Sequence, residues 1–585
     1  MSVSKTAAEA SAAGWRAQAD ESLKRLASHR DEWARLAVAG RIDYLQECRK
    51  RAHDCAQRWV EESCRAKGLG LKTPAAGEEW SSGPWGLIFG INAYLDSLRE
   101  IEAKGTTTVP RRDVRRRADG QVIARVWPHR RAERVALAGL RAEVWMEPAV
   151  TIENLAQNMG AAYRRQPERG AVALVLGAGN VSSIAPMDVL HKLLAEHCVV
   201  LLKMNPVNDY LGPIFEDIFD PLVRDGFLAI AYGGPEVGEY LAEHAAVDEI
   251  HMTGSDRTHD AIVFGTGPEG MERKRQNRPR NLRRMTSELG NVTPMIVVPG
   301  PWDEKDIRFQ AENIVTTKLN NAGFNCIATQ VLVLPESWDR SGALLDAVRD
   351  IITQVPPRPA YYPGAALRQQ TVAEDHPDAE IVDGRAENGV PRTLVSGLDS
   401  SNTEESCFRQ ECFSSVLATT SLPGTTTAEY LRNAIRFCNS RLWGTLGASL
   451  LIHPATIRKL GPVFEDAIAD LRYGTIGVNI WCGLGYLVAQ APWGAYPGHT
   501  LDDVQSGIGW VHNTRFFDRP QKSVVYGPFF PFPRSLRKGQ ATMLPHPPWF
   551  ILHRRGHVVT RELTGFEFDR KPARLRAILA AVMRP

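Results

Sequence analysis

The pattern of apolar and polar positions changes character along the chain. Up to about residue 105, apolar residues recur at helical spacing. In "ESLKRLASHRDEWARL", Leu23, Leu26, Trp33 and Leu36 fall near one face. A basic stretch, "PRRDVRRRADG", closes this helical part, and "VALAGLRAEVWMEP" reads as extended structure around a turn at Ala138-Gly139. From Gly170 short apolar runs alternate with amphipathic segments. "AVALVLGAG", "VVLLK", "FLAIAYGG" and "DEIHMTGS" read as buried strands. "PMDVLHKLLAEH", "GPIFEDIFDPLVRDG" and "PEVGEYLAEH" read as the helices between them. This alternation predicts a parallel, doubly wound sheet. Ligands of such sheets bind at the carboxyl ends of the strands.

The segment "GTGPEGMERKRQNRPRNLRR" interrupts with glycines and seven Lys/Arg between Arg273 and Arg284, and reads as an exposed loop. "MTSELGNVTPMIVVPG" then resumes strand-like sequence, and a second α/β stretch runs from about 288 to 475. After "GVNIW" the chain turns loop-rich through "APWGAYPGHTLDDVQSGIG", and "QKSVVYGPFF" predicts one more strand. The tail from about 531 combines Pro, Arg and aromatics with a final helix, "PARLRAILAAVM". No internal repeat is present.

Composition narrows the classes. A chain of 585 residues has room for roughly four domain-sized units, or two or three larger interleaved ones. With 43% hydrophobic and 23% charged residues it is globular. The net charge of +3 carries no bias toward nucleic acid or membrane, so no nucleic-acid partner is expected. The nine cysteines include no C-x-x-C pair, which argues against structural zinc and against a disulfide framework; no metal is expected. A reducing compartment is the simplest match. The first residues lack an apolar signal core, and no apolar run approaches a membrane span, so the expected location is cytoplasmic.

Taken singly, the chemistry-bearing residues are ambiguous. "LGAGNVSS" offers Gly177 and Gly179 as G-x-G with Ser182 at the third glycine position; a phosphate loop or a tight strand-to-helix turn both fit. Thr253-Gly254-Ser255 precedes a helix and suits either a phosphate contact or an N-cap serine. Glu288 in "SELGN" and Glu411 in "RQECFSSV" pass for solvated acids. Cys326, in "NNAGFNCIATQ", follows a turn signal and precedes the apolar "VLVLP". A cysteine acts as a nucleophile only where its thiolate is stabilised and accessible.

Together these motifs resemble the aldehyde dehydrogenase superfamily. The order is G-x-G-N, then Lys203, then T-G-S, E-L-G, G-x-x-C, E-x-F and the late "APWGAYPGHT", over roughly residues 130 to 530. The resemblance implies an α/β, aldehyde dehydrogenase-like fold. That fold has a Rossmann-type cofactor domain, an α/β catalytic domain and a β-arm oligomerisation element. The implied boundaries are 1–132 for a helical N-terminal part and the start of the cofactor domain, 133–150 and 511–530 for the arm, and 151–287 with 476–510 for the NAD(P)-binding domain. The catalytic domain would span 288–475, and 531–585 would be a C-terminal extension. It also implies Cys326 as nucleophile, Glu288 as general base, and Asn180 as the oxyanion donor beside the Cys326 N–H. Lys203 and Glu411 match ribose contacts of NAD or NADP. Phe413 matches the aromatic beside the nicotinamide, and Gly179, Gly254 and Ser255 match cofactor-binding positions, with Ser255 at the pyrophosphate. The implied partners are a small-molecule aldehyde and a second copy of the chain, as a homodimer or homotetramer. Trp481 and Tyr486 favour an apolar aldehyde.

The departures from the family pattern are specific. Phe324-Asn325 stands where Gly-Gln is usual before the cysteine, Asn291 replaces the second glycine of E-L-G-G, and Ala178-Gly179 replaces Pro-Trp before the asparagine. His259 replaces a glycine, and Pro206 replaces the acid that reads the adenosine 2′-hydroxyl, leaving NAD against NADP open. One alternative on the same fold is a CoA-acylating reductase, with the basic 273–284 segment meeting CoA phosphates. Another is a non-catalytic nucleotide-binding scaffold. Retention of Glu288 favours hydrolysis, because an acyl transfer to CoA has less need of a base. The extension from 531 suits a neighbouring subunit, a membrane surface, or its own protomer.

Overall fold

The computed structural model describes residues 3–129, 133–134, 137–165, 167–384 and 389–583. Residues 135 and 136 of the expected arm lie outside them, as do the other positions omitted from those ranges.

The short apolar runs become strands because both faces are covered. Val172–Leu176, Val199–Lys203, Leu228–Ala231, Glu249–Gly254 and Arg284–Leu289 form a parallel sheet, with Gly507–Ile508 antiparallel at one edge. Spatial order runs Gly507–Ile508, Arg284–Leu289, Glu249–Gly254, Val172–Leu176, Val199–Lys203, Leu228–Ala231. The order reverses beside Val172–Leu176, so a crevice opens where the loop after that strand leaves the sheet. Every residue of Val199–Lys203 is buried, as a sheet covered on both faces requires.

Helices Val3–Arg35, Val38–Ala66 and Gly86–Lys104 make the N-terminal layer. Trp33 is fully buried and donates its indole N–H to Leu193 O at 2.9 Å, fastening the layer to the helix Ile184–Leu194. Gly86–Lys104 stops at Gly105, whose φ of 78° and N–H to Ile101 O form a left-handed C-cap.

Four residues after Leu289 the chain enters a second sheet at Thr293–Val297. Among the described residues this sheet has eleven strands. Thr475–Val478, Gly447–Leu451, Thr293–Val297, Thr329–Pro335, Val416–Leu422 and Arg392–Leu398 are parallel neighbours in that order, with Glu380–Asp383 antiparallel at the end. The helix Glu304–Leu319 leads into the Cys326 loop. Its start is set by a capping box in which Asp303 accepts from the Lys305 and Asp306 N–H groups and Asp306 returns to the Asp303 N–H. Such a cap contributes about 1 kcal/mol.

The strands of the expected arm pair inside their own chain. Arg141–Met146 lies antiparallel to Pro520–Tyr526, and Pro520–Tyr526 runs parallel to Thr475–Val478 with Thr475 opposite Ser523 and Val478 opposite Tyr526. Val122–Trp127, which carries no clear strand signal within its basic surroundings, pairs on the far side of Arg141–Met146. The arm therefore continues this chain's own second sheet, and that edge is already occupied.

The basic stretch departs from the loop expectation: Gly267–Arg275 is a helix. Its cations are taken up by acids nearby and from other elements. Arg273 pairs with Glu269, Lys274 with Asp260 at 2.7 Å, Arg280 with Glu243, and Arg284 with Glu196 and Glu249.

The extension after Tyr526 packs on its own protomer. Phe529, Phe530 and Ile551 join the core under helix Glu304–Leu319, with Ile307, Ala311, Ile314 and Val315. Gln310 donates to Phe529 O at 2.9 Å, and the Ile551 N–H donates to Thr316 Oγ1 at 3.0 Å. The helix Gly556–Asp569 then reaches the N-terminal layer, where Asn92 donates to Glu567 O at 2.9 Å and Phe568 stacks on His53. Among the described residues no helix is long and apolar enough to cross a membrane. Ile551 is 3% exposed, so Ile551→Ala should cost about 2–4 kcal/mol through lost burial and the cavity left behind. Denaturant unfolding measures this; a cost below about 0.5 kcal/mol, typical of surface positions, would show that the extension is a peripheral tail.

Candidate active site

The cleft at the switch point has a volume of about 870 Å³. Its lining includes Gly177–Asn180, Lys203, Gly254, Ser255, Glu288, Gly290, Cys326, Glu411, Phe413 and Trp443. All nine residues singled out from the sequence meet there.

Gly179 is required by a close approach: a Cβ at that position would lie 2.6 Å from Asn205 Oδ1 and 2.9 Å from Val207 Cβ. Asn205 Oδ1 itself accepts from Val207 N, so the segment cannot easily yield. Lys203 ends its strand nearly buried, and burial lowers its pKa against the opposing pull of Glu236 and Asp209. Ser255 is the N-cap of Asp256–Phe264, accepting from Thr258 N at 3.2 Å, while it also lines the cleft.

Glu288 comes from the end of strand Arg284–Leu289, and Cys326 from the loop before Thr329–Pro335 in the other sheet. The Cys326 thiol donates to Glu288 Oε1 at 3.5 Å. Glu288 is 2% exposed, and its Oε2 has no hydrogen-bond partner among the described residues. Burial, then the field of Asp188, pushes its pKa up to about 8. Burial pushes the Cys326 thiol well above its ordinary value as well, and the Glu288 carboxyl adds to this. At neutral pH both groups are therefore uncharged, and the carboxyl is poised to exchange a proton near working pH.

The loop before Cys326 is left-handed over three residues, with φ of 51° at Asn321, 57° at Ala322 and 86° at Gly323. Asn tolerates this region and Gly prefers it, but Ala322 is strained by roughly 1–2 kcal/mol. A Cβ on Gly323 would also meet Ser414 O at 2.9 Å. Asn180 donates its side-chain amide to Phe324 O at 2.9 Å, which aims the carboxamide at the Cys326 loop.

Glu411 lies across the cleft from the parallel sheet. Burial raises its pKa well above the ordinary value, against Lys318 and Arg368. Its carboxylate packs on Gly290, where a Cβ would sit 1.9 Å from Oε2, and its Oε1 has no hydrogen-bond partner among the described residues. Phe413 holds a φ of 45°. Arg368 clamps it by donating to Cys412 O at 2.9 Å and Phe413 O at 3.0 Å, and Tyr362 and Phe324 pack on its ring at 4.9 and 5.9 Å.

Several departures from the family pattern now have structural roles. Phe324 is buried in the aromatic cluster around Phe413. Asn291 is fully buried and ties the crossing between sheets, donating to Gly447 O at 3.0 Å and accepting from Thr293 Oγ1 at 2.9 Å. Asn325 donates to Asn320 O at 3.0 Å. Cys326 packs, partly buried like Val181, Trp481 and Leu487, against an apolar cluster that includes Tyr486 and Trp493. Sequence reasoning missed Lys67, Glu79, Asn321, Tyr361, Tyr362 and Arg368. Asn321 alone carried a local signal, as an Asn before Ala-Gly in a turn.

The family model for the aldehyde dehydrogenase family matches residues 133–484, more than half of the chain. The chain belongs to the aldehyde dehydrogenase family. Among particular proteins, an N-succinylglutamate 5-semialdehyde dehydrogenase of Sphingopyxis alaskensis is 27% identical over 248 residues, covering 41% of this chain and 44% of the relative. A second, from Caulobacter vibrioides, is 29% identical over 210 residues, covering 34% and 41%. The chain thus matches less than half the length of these relatives. Among solved structures, aldehyde dehydrogenase C of Pseudomonas syringae, a mutant complexed with NAD+ and octanal, matches with a TM-score of 0.59 at 16% identity. That match covers 88% of this chain and 90% of the other. An NADP-dependent glyceraldehyde-3-phosphate dehydrogenase of Bacillus halodurans, complexed with NADP, matches with a TM-score of 0.58 at 15% identity, covering 88% and 91%. These likenesses establish the fold.

The thiol–carboxyl pair yields a test that needs no substrate. Because ionised Glu288 raises the Cys326 thiol, Glu288→Gln should speed iodoacetamide labelling of Cys326 at pH 9 by roughly 3- to 10-fold. Labelling followed by peptide mass mapping checks this; an unchanged or slower rate at pH 9 would show that the two groups do not interact.

Proposed function

We propose that the chain oxidises an aldehyde to the carboxylic acid with NAD or NADP, through a thiohemiacetal and a thioester on Cys326. The observation that carries this is the part-buried Cys326–Glu288 contact opening on the 870 Å³ cleft. The cleft suits a dinucleotide: Lys203 supplies a cation, Gly179 allows close backbone approach, and Glu288 and Glu411 each leave a buried oxygen unpartnered. Lys203, Glu411, Phe413, Gly179, Gly254 and Ser255 would hold the cofactor. Pro206 sets no carboxylate against a 2′-phosphate, so both cofactors remain compatible with the site.

The Cys326 thiol gives up its proton to solvent as its sulfur bonds to the aldehyde carbon, which leaves Glu288 free for the hydrolytic step. The carbonyl electron pair moves to oxygen, where the Asn180 carboxamide and the Cys326 N–H would hold the alkoxide; such donors are worth about 3–4 kcal/mol each. A bound oxidised nicotinamide supplies the acceptor for the hydride that leaves as the C=O re-forms. Glu288 then takes a proton from water, water oxygen bonds to the thioester carbon, and the Cys326 thiolate departs. The apolar cluster on which Cys326 packs, shared with Val181, Trp481 and Leu487, favours an apolar aldehyde. In the basic segment that the CoA-acylating alternative would use, Arg273, Lys274, Arg280 and Arg284 pair with the protein's own acids, which favours hydrolysis.

Cys326→Ala should abolish turnover, by on the order of 10⁴-fold or more as for other lost nucleophiles, with cofactor binding kept within a few-fold. Glu288→Gln should keep a first-turnover burst of reduced nicotinamide and stall steady turnover. Wild-type rate should rise as pH passes about 8, since the carboxyl is neutral below that value and a competent base above it. A panel of aldehydes of rising chain length, with each nicotinamide, measures all three. Near wild-type oxidation by Cys326→Ala would overturn the assignment, and acyl-CoA as the product of the wild type would favour transfer over hydrolysis.

A further inference from the structure

A buried polar cluster joins the N-terminal helical layer to the nucleophile loop. Lys67, at the C-cap of helix Val38–Ala66, is 5% exposed. Its ammonium donates to Glu79 Oε1 at 2.8 Å, Asn321 Oδ1 at 3.2 Å and Asn180 O at 3.3 Å, and lies 4.7 Å from the Tyr361 ring centroid. The Tyr361 hydroxyl sits 2.9 Å from Asn321 Oδ1 and 3.1 Å from Asn180 O. Asn321 Nδ2 donates to Asn180 O at 3.0 Å and Phe324 O at 3.1 Å. Asn180 Nδ2 donates to the same Phe324 O. Outside this core, Glu78 accepts from the Asn321 N–H at 2.8 Å and from both Arg358 amines.

None of Lys67, Glu79, Asn321 and Tyr361 lines the cleft, so they touch neither cofactor nor reacting atoms. What they share is the Asn180 carbonyl and the left-handed turn before Cys326. Three acceptors, Asn180 O, Asn321 Oδ1 and Phe324 O, converge there. The Lys67 ammonium spends its three donors on two of these, Asn180 O and Asn321 Oδ1, and on Glu79 Oε1, while the two asparagine amides hold Phe324 O. Away from water each of these bonds is strengthened, and each one left unmade is costly. The turn is also strained at Ala322, so it keeps its shape only where the surroundings over-determine it.

We propose that Lys67 is a positioning residue of the oxyanion site. Its ammonium, together with Glu79, Tyr361 and Asn321, locks the Asn180 backbone to the Cys326 loop so that the Asn180 carboxamide and the Cys326 N–H converge on one oxygen. Donors of this kind act only when aimed before the charge develops. The role rests on the aldehyde oxidation proposed above. Burial, then the Glu79 carboxylate, holds the Tyr361 hydroxyl well above its ordinary pKa, so it remains a donor across the working range.

The test compares wild type with Tyr361→Phe and with the double variant Lys67→Met/Glu79→Gln, which removes both charges and leaves neither buried alone. The readouts are the first-turnover rate of nicotinamide reduction, cofactor affinity and the unfolding midpoint. Tyr361→Phe should slow the first turnover about 3- to 10-fold, the worth of one hydrogen bond, and the double variant about 100-fold, the worth of a lost oxyanion donor. Cofactor affinity should stay within about twofold, a change far smaller than the rate loss. Unchanged first-turnover rates in both folded variants would overturn the proposal. So would rate, cofactor affinity and stability falling together, which is the mark of a general structural role. Wild type inactive on every aldehyde would instead defeat the proposed function, and with it the role built on it.

Discussion

A thiol and a carboxyl from two different sheets meet at the edge of the cleft, and most of the architecture serves that meeting. Glu288 closes a strand of the parallel sheet, and Cys326 enters a strand of the mixed one. Their 3.5 Å separation is set by the relative placement of the two sheets. The crossing between them, Leu289 to Thr293, is short and stiffly held: Asn291 anchors it to Gly447 O, and Gln330 donates to Asn291 O at 2.8 Å. A residue larger than glycine at 290 would displace Glu411. The second glycine of the usual motif is replaced by a residue that adds a tether.

The same constraint accounts for elements far from the cleft. The N-terminal layer places a lysine and two glutamates around the nucleophile turn, and the C-terminal extension ties the helix leading to that turn into a core with Phe529, Phe530 and Ile551. The helix Gly556–Asp569 packs so closely on Pro74–Trp80 that a Cβ at Gly77 would stand 2.8 Å from the Gly556 backbone. Since Pro74–Trp80 carries Glu78 and Glu79, the extension braces the segment that supports the turn. The arm strands, meanwhile, complete this chain's own sheet at Thr475–Val478.

What was legible in the sequence was what periodicity and motif carry. "VALVL" and "VVLLK" read as buried strands because helices cover both faces, leaving no polar alternation. The cleft residues were legible because a family motif places Asn180, Glu288 and Cys326 in order. The basic 273–284 segment is loop beyond Arg275, as its composition reads, but the partners of Arg280 and Arg284, Glu243, Glu196 and Glu249, lie on other elements and were not legible. Lys67 and Glu79 belong to no motif in the sequence. Only the fold brings them to Asn180 and Asn321, and no spacing rule connects positions so far apart in the chain. Ser255 stayed double-valued in the structure as it was in the sequence, an N-cap that also faces the cleft.

The central claim is that Cys326 carries the substrate covalently in a site where Glu288 supplies the base. Mass measurement of the Glu288→Gln protein, quenched after mixing with an aldehyde and oxidised nicotinamide, tests it most directly. The account predicts one acyl group per chain, mapped to the peptide holding Cys326 and absent when the cofactor is omitted. An enzyme that oxidises aldehydes while this variant shows no acyl mass, or shows it on another cysteine, would contradict the account.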